Sequence, residues 1–332
     1  MKNKTARAIA CQLSCAVITS GLWILLCFSV LPAAQSSGTY PGKLAIVKGK
    51  HLSAAEQAVE ARFAAYLEAH TDQAIRRYSG RFANEIDTDN ARELSSDYAP
   101  GGIDAEDAAT IAARTRWGQA VHEPASALAK ELYRRALRKD TPPDRRKQVV
   151  FTAGGAGAGK TTSIRTLAGL NHAVQLAEIV YDTTLSTFTT ALARITDAIA
   201  AGRMVSIVYV YRDPVDALVE GVLPRARSTG RVVPLEIILN SHLGSLNGIL
   251  KLAEAYKNEP WLAMAVIDNR DGTGSAAQAD LEFVRRMAGK YSRESLQAAL
   301  SSALEDAYEK GKTGGKNGIS ETLYRAINRP AH

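Results

Sequence analysis

The chain has few cysteines, and their positions exclude two kinds of site. Of its 332 residues only Cys11, Cys15 and Cys27 are cysteines, and all three lie near the N-terminus. The rest of the chain therefore has neither a disulfide framework nor a thiolate metal site, and cysteine gives no information on the redox compartment. With 46% hydrophobic and 23% charged residues, the composition suits one large domain or two modest ones.

Charge is absent from a long apolar run near the N-terminus. No charged residue occurs in the segment 8–34, which exceeds the roughly 20 apolar residues that can cross a bilayer. Basic residues before it and small residues after it fit a cleavable signal peptide, whereas its length fits an uncleaved anchor. With either, the positive-inside rule predicts a membrane-anchored or exported protein, while a mis-assigned start codon would leave the protein cytoplasmic.

Strong signals for nucleic-acid binding are also scarce. The net charge of +7 lies partly in the basic residues before the apolar run, so it favours phosphate-bearing ligands only mildly. Basic clusters occur at 134–139 and 145–147, but aromatic residues, 6% of the chain, are rare near them. Because base stacking needs aromatic side chains, nucleic acid is not the favoured partner.

Hydrophobic periodicity divides the chain into a helical N-terminal part and an α/β part. A capping box from Ser53 to Glu56 predicts a helix through about Arg76, and helical patterns follow at 105–117 and 120–139. Short β-rich runs then alternate with helical stretches; these runs are 148–153, 177–182, 204–211 and 261–267. The alternation predicts an α/β fold of the P-loop NTPase type, with a parallel sheet covered by helices on both faces.

The predicted organisation has four parts. They are a signal peptide or anchor at 1–35, a linker and helical region at 36–79, a kinase-like domain at 80–310, and a flexible tail at 311–332. The Gly/Lys-rich segment 311–317 is expected to lead flexibly into a short terminal helix.

A glycine-rich motif occupies the turn between the first long strand and the next helix. Its glycines allow backbone N–H groups to face phosphates at a helix N-terminus. We expect ATP or GTP to bind there, with Lys160 on the β- and γ-phosphates and Thr161 on Mg²⁺. The motif and the following residue are Gly154, Gly155, Ala156, Gly157, Ala158, Gly159, Lys160, Thr161 and Thr162.

Three segments after this loop resemble the zeta toxin family of P-loop kinases. They are the strand 177–184 with its acidic-x-Thr ending, the segment 207–234 with Arg225 and Gly230-Arg231, and 266–269 with Asp268-Asn269. The resemblance implies a kinase that phosphorylates a hydroxyl of a small substrate, notably a UDP-activated amino sugar, and an ATP contact at Asn269. It also raises the prospect of an antitoxin-like protein partner, for which the helix at 53–76 is a candidate unless it docks internally.

The family's catalytic aspartate is missing from its usual place, because Thr161 and Asp182 are too close in sequence to hold that segment. A similar segment lies upstream instead: 86–92 resembles the family's Asp-x-Asp followed by a basic residue, and 121–129 resembles the helix that follows. We therefore hypothesise a circularly rearranged order of segments, with Asp89 as the general base. The alternative is an acidic surface turn that caps a helix.

Other candidate residues have simple chemical rationales and equally simple alternatives. Arg225 and Arg231 suit a clamp on the transferring phosphoryl group, although lone arginines are usually solvated. Asp182 either orients substrate or a Mg²⁺-bound water, or caps a helix. The resemblance places Arg92, His122, Ser126 and Asp182 at the substrate. His242 is expected to be structural rather than a substrate contact.

Three functions compete at this stage. The leading hypothesis is a zeta-toxin-type kinase, which predicts ADP release that depends on a substrate. The second is a nucleotide-binding module without phosphoryl transfer, which predicts protection by nucleotide without a phosphorylated product. The third is a kinase acting on nucleic-acid ends. A kinase outside the cytoplasm would find little ATP, unless it is delivered into another cell.

Overall fold

A mostly parallel sheet lies at the centre of the computed structural model, which describes residues 44–272 and 274–330. The strands are β1 (Glu85–Ile86), β2 (Arg146–Ala153), β3 (Ala177–Asp182), β4 (Met204–Tyr211), β5 (Leu262–Asp268) and β6 (Ala277–Ala279). They lie in the order β1-β3-β2-β4-β5-β6, and the pair β5 and β6 is antiparallel while the others are parallel. The predicted α/β class is confirmed.

The helices before β2 come from the N-terminal half of the described chain. They are α1 (Ala54–Ala69), α2 (Thr71–Phe82), α3 (Thr88–Arg92), α4 (Ala108–Trp117) and α5 (His122–Ala136). Between β2 and β5 lie α6 (Lys160–Thr166), α7 (Ala168–Leu176), α8 (Phe188–Ala200), α9 (Pro214–Ala217), a π-helical turn (Leu218–Val222), α10 (Leu223–Thr229) and α11 (Leu235–Ala255). The last three are α12 (Leu281–Ala288), α13 (Arg293–Lys312) and α14 (Glu321–Asn328).

Alternate residues of the central strands enter two different cores. Val149 and Phe151 of β2 lie in the larger core, which also contains buried residues of α1, α5 and α8. Val150 lies on the other face, in a smaller core with Ile164 of α6. Both sides of the sheet are therefore packed against helices, as expected for parallel strands with an apolar side chain at nearly every position.

The helical N-terminal region is part of the same compact unit as the sheet, not a separate region ending at residue 79. Phe63 and Leu67 of α1 are buried in the core that also holds Phe151 of β2. The capping box of Ser53 and Glu56 is present, but the predicted single helix is two helices that meet at His70. The helix at 53–76 thus docks internally, because its apolar face is covered by the protein itself.

The short terminal helix predicted within the tail at 311–332 is present as α14, and the described residues of this tail include buried ones. α13 continues to Lys312, and Ile319 and Ile327 are buried in a core with α11. The Arg329 guanidinium lies 2.6 Å from a carboxylate oxygen of Glu56 at the start of α1. Burial would raise the pKa of Glu56, but its bonds to Arg329 and Ser53 lower it to about 2. The Gly/Lys-rich composition of 311–317 predicted flexibility, but it gave no sign that Ile319 and Ile327 are buried.

In the part of the chain that the structure describes, no helix combines the length and apolarity needed to span a membrane. The predicted signal peptide or anchor at 8–34 lies outside the described residues.

Ile327→Ala tests whether the C-terminal helix is part of the fold. We expect this substitution to lower the free energy of unfolding by about 2–5 kcal/mol, because Ile327 is fully buried and its truncation leaves a cavity. Urea denaturation of the two proteins measures the difference. Asn328→Ala, at the exposed neighbouring position, is the matched control. Equal stability of both variants and wild type would show that α14 does not contribute to the folded core.

Candidate active site

The glycine-rich segment joins the carboxyl end of β2 to the first turn of α6, as the motif requires. Gly157 and Gly159 have φ angles of 75° and 80°, in the left-handed region that favours glycine. A Cβ atom at Gly157 would also lie 2.5 Å from the carbonyl oxygen of Ala217, which no side chain tolerates. The loop therefore depends on glycine both for its backbone angles and for its contact with α9.

Three side chains from other elements hold this loop. The Asn269 amide nitrogen donates to the Ala158 carbonyl at 2.9 Å, and the Ser241 hydroxyl accepts from the Ala156 N–H at 3.1 Å. His242 contacts the Ala156 carbonyl through Nε2 at 2.9 Å, so this nitrogen carries the proton. Asn269 was predicted to contact ATP; it lies at the site, but its amide nitrogen is engaged with the loop.

His242 is buried and neutral. Burial, helped by the charge of Lys160, lowers its pKa to about 4, although the hydrogen bond to Ala156 and the charge of Asp213 act in the opposite direction. A neutral imidazole beneath the loop adds no positive charge there. The expectation of a structural rather than a substrate-contacting role agrees with this position.

A cavity of about 880 Å³ opens at the carboxyl ends of the parallel strands, beside the loop. This edge of an open α/β sheet is where ligands generally bind. The predicted site residues that line the cavity are Asp89, Arg92, His122, Gly155, Ala156, Gly157, Ala158, Gly159, Lys160, Thr161, Thr162, Asp182, Arg225, Arg231 and Asn269. Gly154 and Ser126 lie outside its lining, Gly154 at the base of the loop and Ser126 one turn beyond His122 on α5.

Lys160 and Asp182 form an ion pair across the P-loop. The Lys160 Nζ atom lies 3.4 Å from a carboxylate oxygen of Asp182, which also accepts a hydrogen bond from the Thr152 hydroxyl. Asp182 ends β3 and Thr152 lies opposite it in β2. The carboxylate therefore keeps the lysine beside the loop.

Asp89 joins the upstream segment to the arginines of the zeta-toxin-like segment. Its carboxylate lies 3.1 Å from Arg225 and 3.4 Å from Arg92. Arg92 in turn contacts the His122 ring at 2.5 Å. Burial would raise the pKa of Asp89, but the guanidinium groups of Arg92, Arg225 and Arg231 outweigh it and hold the pKa below its usual range. Asp89 is therefore ionised at neutral pH.

The neighbouring Asp87 has the opposite electrostatic environment. It caps α3, where its carboxylate accepts the Asp89 N–H at 2.9 Å. Burial and the charges of Asp89 and Asp182 raise the pKa of Asp87 to about 8. The pKa values of these two carboxyl groups are therefore shifted in opposite directions, because three arginines lie close to Asp89 whereas two carboxylates lie close to Asp87.

Arg231 forms an ion pair with Glu93, which belongs to a buried cluster of charged side chains. Glu93 has no exposed side-chain surface, and it lies 3.0 Å from Arg231 and 2.7 Å from Arg114. Arg114, 2% exposed, also donates to the Ala105 carbonyl at 2.7 Å. The buried Glu93 carboxylate, directly after α3, thereby links Arg114 of α4 to Arg231.

The sequence did not identify several residues that line or support the cavity. Asp87 lies within the motif 86–92 but had no predicted role, and Glu93 directly follows that motif. Arg194 of α8 and Arg212, which pairs with Glu220, also line the cavity. Arg212 directly follows β4, so its place at the carboxyl end of a parallel strand was the one available signal. Arg194 had no such signal, since it lies within a helix.

No group of three or more His, Cys, Asp and Glu side chains that could hold a metal occurs within the described ranges. The Thr161 hydroxyl lies on the cavity wall at the start of α6. A Mg²⁺ ion bound by nucleotide phosphates and one hydroxyl does not need such a group, so the residues present fit it.

The buried His242 predicts a pH-dependent stability. Its pKa is about 4 in the folded state and about 6.5 when unfolded, so its contribution is complete above pH 6.5 and is lost as the pH falls toward 4. The loss amounts to roughly 3 kcal/mol. We expect His242→Gln, which keeps an N–H donor, to show a weaker decline between pH 6.5 and 4 in urea denaturation. His172→Gln, at an exposed histidine of α7, should keep the wild-type decline. Identical pH profiles for wild type and His242→Gln would contradict the assignment.

Glu93→Gln tests the buried charge cluster. The substitution leaves Arg114 buried without a counter-charge, so we expect the free energy of unfolding to fall by about 3–5 kcal/mol. The measurement is chemical denaturation at neutral pH. The control is Glu321→Gln, which breaks the exposed pair with Arg325 and should have no measurable effect. A stability of Glu93→Gln equal to wild type would mean that Arg114 and Arg231 do not need this carboxylate.

A known protein family matches part of the chain. No curated protein matches the chain. One similar solved structure is described as the crystal structure of AvrRxo1-ORF1:-ORF2 with ATP; it has 12% sequence identity and a TM-score of 0.41, covering 69% of this chain and 97% of that chain. The family model described as zeta toxin matches residues 170–275, which include Asp182, Arg225, Arg231 and Asn269. This match confirms the resemblance to the zeta toxin family that the sequence predicted, for the segments that lie within residues 170–275.

Proposed function

We propose that this protein is an ATP-dependent kinase of the zeta toxin type, which phosphorylates a hydroxyl of a small substrate such as a UDP-amino sugar. The contact between Asp89 and Arg225 carries the proposal. It joins a carboxylate from the segment before the P-loop to an arginine of the zeta-toxin-like segment, at 3.1 Å, in the cavity that Lys160 also lines. A phosphate loop, a carboxylate and guanidinium groups in one cavity are the parts that phosphoryl transfer requires.

The donor nucleotide binds at the loop. Backbone N–H groups of the loop and the N-terminus of α6 would hold the β- and γ-phosphates of ATP or GTP. Lys160, paired with Asp182 at 3.4 Å, needs only a small displacement to pair with a phosphate instead. Thr161 would hold Mg²⁺, which supplies positive charge to the phosphates when bound. These residues orient the γ-phosphoryl group toward the Asp89 side of the cavity.

Asp89 is the general base in this proposal. The acceptor hydroxyl gives its proton to the Asp89 carboxylate as its oxygen bonds to the γ-phosphorus, and the bond to the bridging oxygen breaks to release ADP. Asp87 is less suited to be the base, because its carboxylate caps α3 by accepting the Asp89 N–H and its pKa is raised above its usual range. Asp89 must separate from Arg225 for this step, and the incoming γ-phosphate provides Arg225 with another anionic partner.

The two arginines then stabilise the charge of the transferring group. Arg225 is 42% exposed and can turn from Asp89 to the phosphate. Arg231 is 18% exposed, and Glu93 holds it in one orientation. A preorganised guanidinium costs little reorganisation during the reaction, which makes it effective toward equatorial oxygens.

The basic clusters at 134–139 and 145–147, which raised the possibility of a kinase acting on nucleic-acid ends, do not line this cavity. Arg134 and Arg135 both pair with Glu131 on the same helix, and Arg145 and Arg146 lie where β2 begins. The P-loop follows the other end of β2, about 25 Å away at the usual rise of a strand. A small acceptor therefore fits better than a polynucleotide. Anchoring or export through residues 8–34 and an antitoxin-like partner remain parts of the proposal.

Substitution of Asp89 and Lys160 tests the function. We expect Asp89→Asn to lower the turnover number about 10²–10⁴-fold, because it removes the base. Lys160→Ala should lower it about 10²–10³-fold and also weaken nucleotide binding. The measurement is ADP release by the purified full chain with UDP-sugars, nucleotides and oligonucleotides as acceptors, with nucleotide binding followed by thermal shift.

Asp140→Asn, an exposed acid after α5, is the matched control and should keep full activity. If wild type, Asp89→Asn and Lys160→Ala share one background ADP release with every acceptor while nucleotide still stabilises the protein, the chain is a nucleotide-binding module and the kinase proposal is wrong.

A further inference from the structure

Two exposed apolar side chains adjoin each other at the amino ends of the strands. Trp261 is 44% exposed and Met204 is 49% exposed, which places both among the three most exposed large apolar side chains of the described ranges. They directly precede Leu262 and Val205, which are register partners in β5 and β4. Because neighbouring strands lie about 4.8 Å apart, the two side chains are neighbours. An adjoining pair, unlike single scattered residues, is a candidate contact surface.

A basic segment lies at the same end of the sheet. The segment 138–147 contains five basic residues and two acidic ones. Its Lys139 carbonyl accepts a hydrogen bond at 2.7 Å from Arg203, the residue before β4. Its Thr141 hydroxyl donates at 2.8 Å to Glu178, near the start of β3. The segment therefore runs along the amino ends of β3, β2 and β4, beside the apolar pair.

Most of these basic side chains have no counter-charge. Arg145 lies 3.6 Å from Asp144, but the other four form no ion pair with any carboxylate in residues 44–272 and 274–330. A Cβ atom at Gly202, in the turn before β4, would lie 3.3 Å from the Lys147 Nζ atom, so this cation extends toward the apolar pair. We call the apolar pair and the four exposed cations the amino-end surface: Met204, Trp261, Arg138, Lys139, Arg146 and Lys147.

We propose that the amino-end surface binds a bilayer that contains anionic lipids. Lysine and arginine are attracted to the negative potential of such a bilayer. A tryptophan ring is stable at the level of the lipid headgroups, where its apolar part leaves water and its N–H stays hydrated. The combination of exposed cations and an adjoining tryptophan is therefore complementary to an anionic membrane surface.

Other partners fit the amino-end surface less well. A specific protein interface buries at least about 1,000 Å², far more than two apolar side chains supply. A nucleic acid would be attracted by the four cations, but it would find a single aromatic ring on which to stack its bases. A bilayer needs only one or two apolar side chains at the headgroup level, together with the charges.

The position of the amino-end surface leaves the candidate active site open. The cavity lies at the carboxyl ends of the strands. The eight residues of β2 separate the two ends by roughly 25 Å. A bilayer on the amino-end surface would therefore leave the cavity facing water. The inference does not depend on the kinase proposal, so either can fail without the other.

The fluorescence of Trp261 tests the surface. The full chain has three tryptophans, so the measurement uses the double variant Trp23→Phe/Trp117→Phe, in which Trp261 reports alone. Phosphatidylcholine vesicles with or without phosphatidylserine are titrated in. We expect the emission to shift to shorter wavelength with the anionic vesicles and much less with the neutral ones, because the ring leaves water only where the cations are attracted. Added salt should reduce the shift.

Neutralisation of two cations tests the role of charge. In the same background, Arg146→Gln with Lys147→Gln should lower the ratio of docked to undocked protein at least about tenfold, since each basic residue contributes a factor of about five. Lys310→Gln with Lys316→Gln removes two exposed charges outside the amino-end surface and should leave the ratio unchanged. Any insertion of the apolar run 8–34 is common to all these proteins and does not produce the difference.

A second measurement guards against an unstable background. If Trp117→Phe lowers the unfolding temperature, the Trp261 signal is obtained as the difference between Trp23→Phe and Trp23→Phe/Trp261→Phe.

Four results would overturn the proposal. Two are the absence of a shift with anionic vesicles and an equal docked ratio with and without Arg146→Gln and Lys147→Gln. Tighter binding of a single-stranded oligonucleotide than of anionic vesicles would assign the amino-end surface to nucleic acid. A shift that grows with protein concentration in the absence of vesicles would assign it to a second copy of the chain.

Discussion

The short parallel pairing of β1 with β3, at the edge of the sheet, brings the segment that contains Asp89 to the same cavity as the P-loop. Glu85 and Ile86 pair with Val180 and Tyr181, and the Asn84 side chain adds a hydrogen bond to the Ala177 carbonyl at 2.8 Å. Because the carboxyl ends of parallel strands lie at one edge of a sheet, this pairing brings the turn after β1 beside the end of β3, one strand away from the P-loop that follows β2. A segment that precedes the P-loop strand in the chain thereby contributes to the same cavity.

Charge compensation organises the cavity into movable and immovable parts. The pairs of Lys160 with Asp182 and of Arg225 with Asp89 are partly exposed, so an incoming phosphate can take over either cation at little cost. Arg231 is different, because the buried Glu93 holds it and removal of that carboxylate would leave charge buried without a partner. Arg225 can therefore exchange partners when an anion binds, while Arg231 stays in place.

Local patterns predicted most of the α/β architecture. The four long strands were predicted within two residues at each end, because continuous runs of β-branched and aromatic residues mark buried parallel strands. β1 and β6 were missed, since strands of two and three residues have no periodicity of their own. The sequence also predicted a short terminal helix. It did not predict the burial of Ile327 or the ion pair of Arg329 with Glu56, because their partners are distant in sequence.

The sequence by itself determined the phosphate loop, the zeta-toxin-like segment and the candidate residues Asp89, Arg225 and Arg231, since each depends on residue types at short spacing. Only the tertiary structure decided that Asp89 contacts Arg225 and that the pKa of Asp87 is raised while the pKa of Asp89 is lowered. These properties depend on burial and on charges brought together from distant segments. Residue types at short spacing show which charged side chains belong to the site. The folded chain decides which of these side chains form ion pairs with one another.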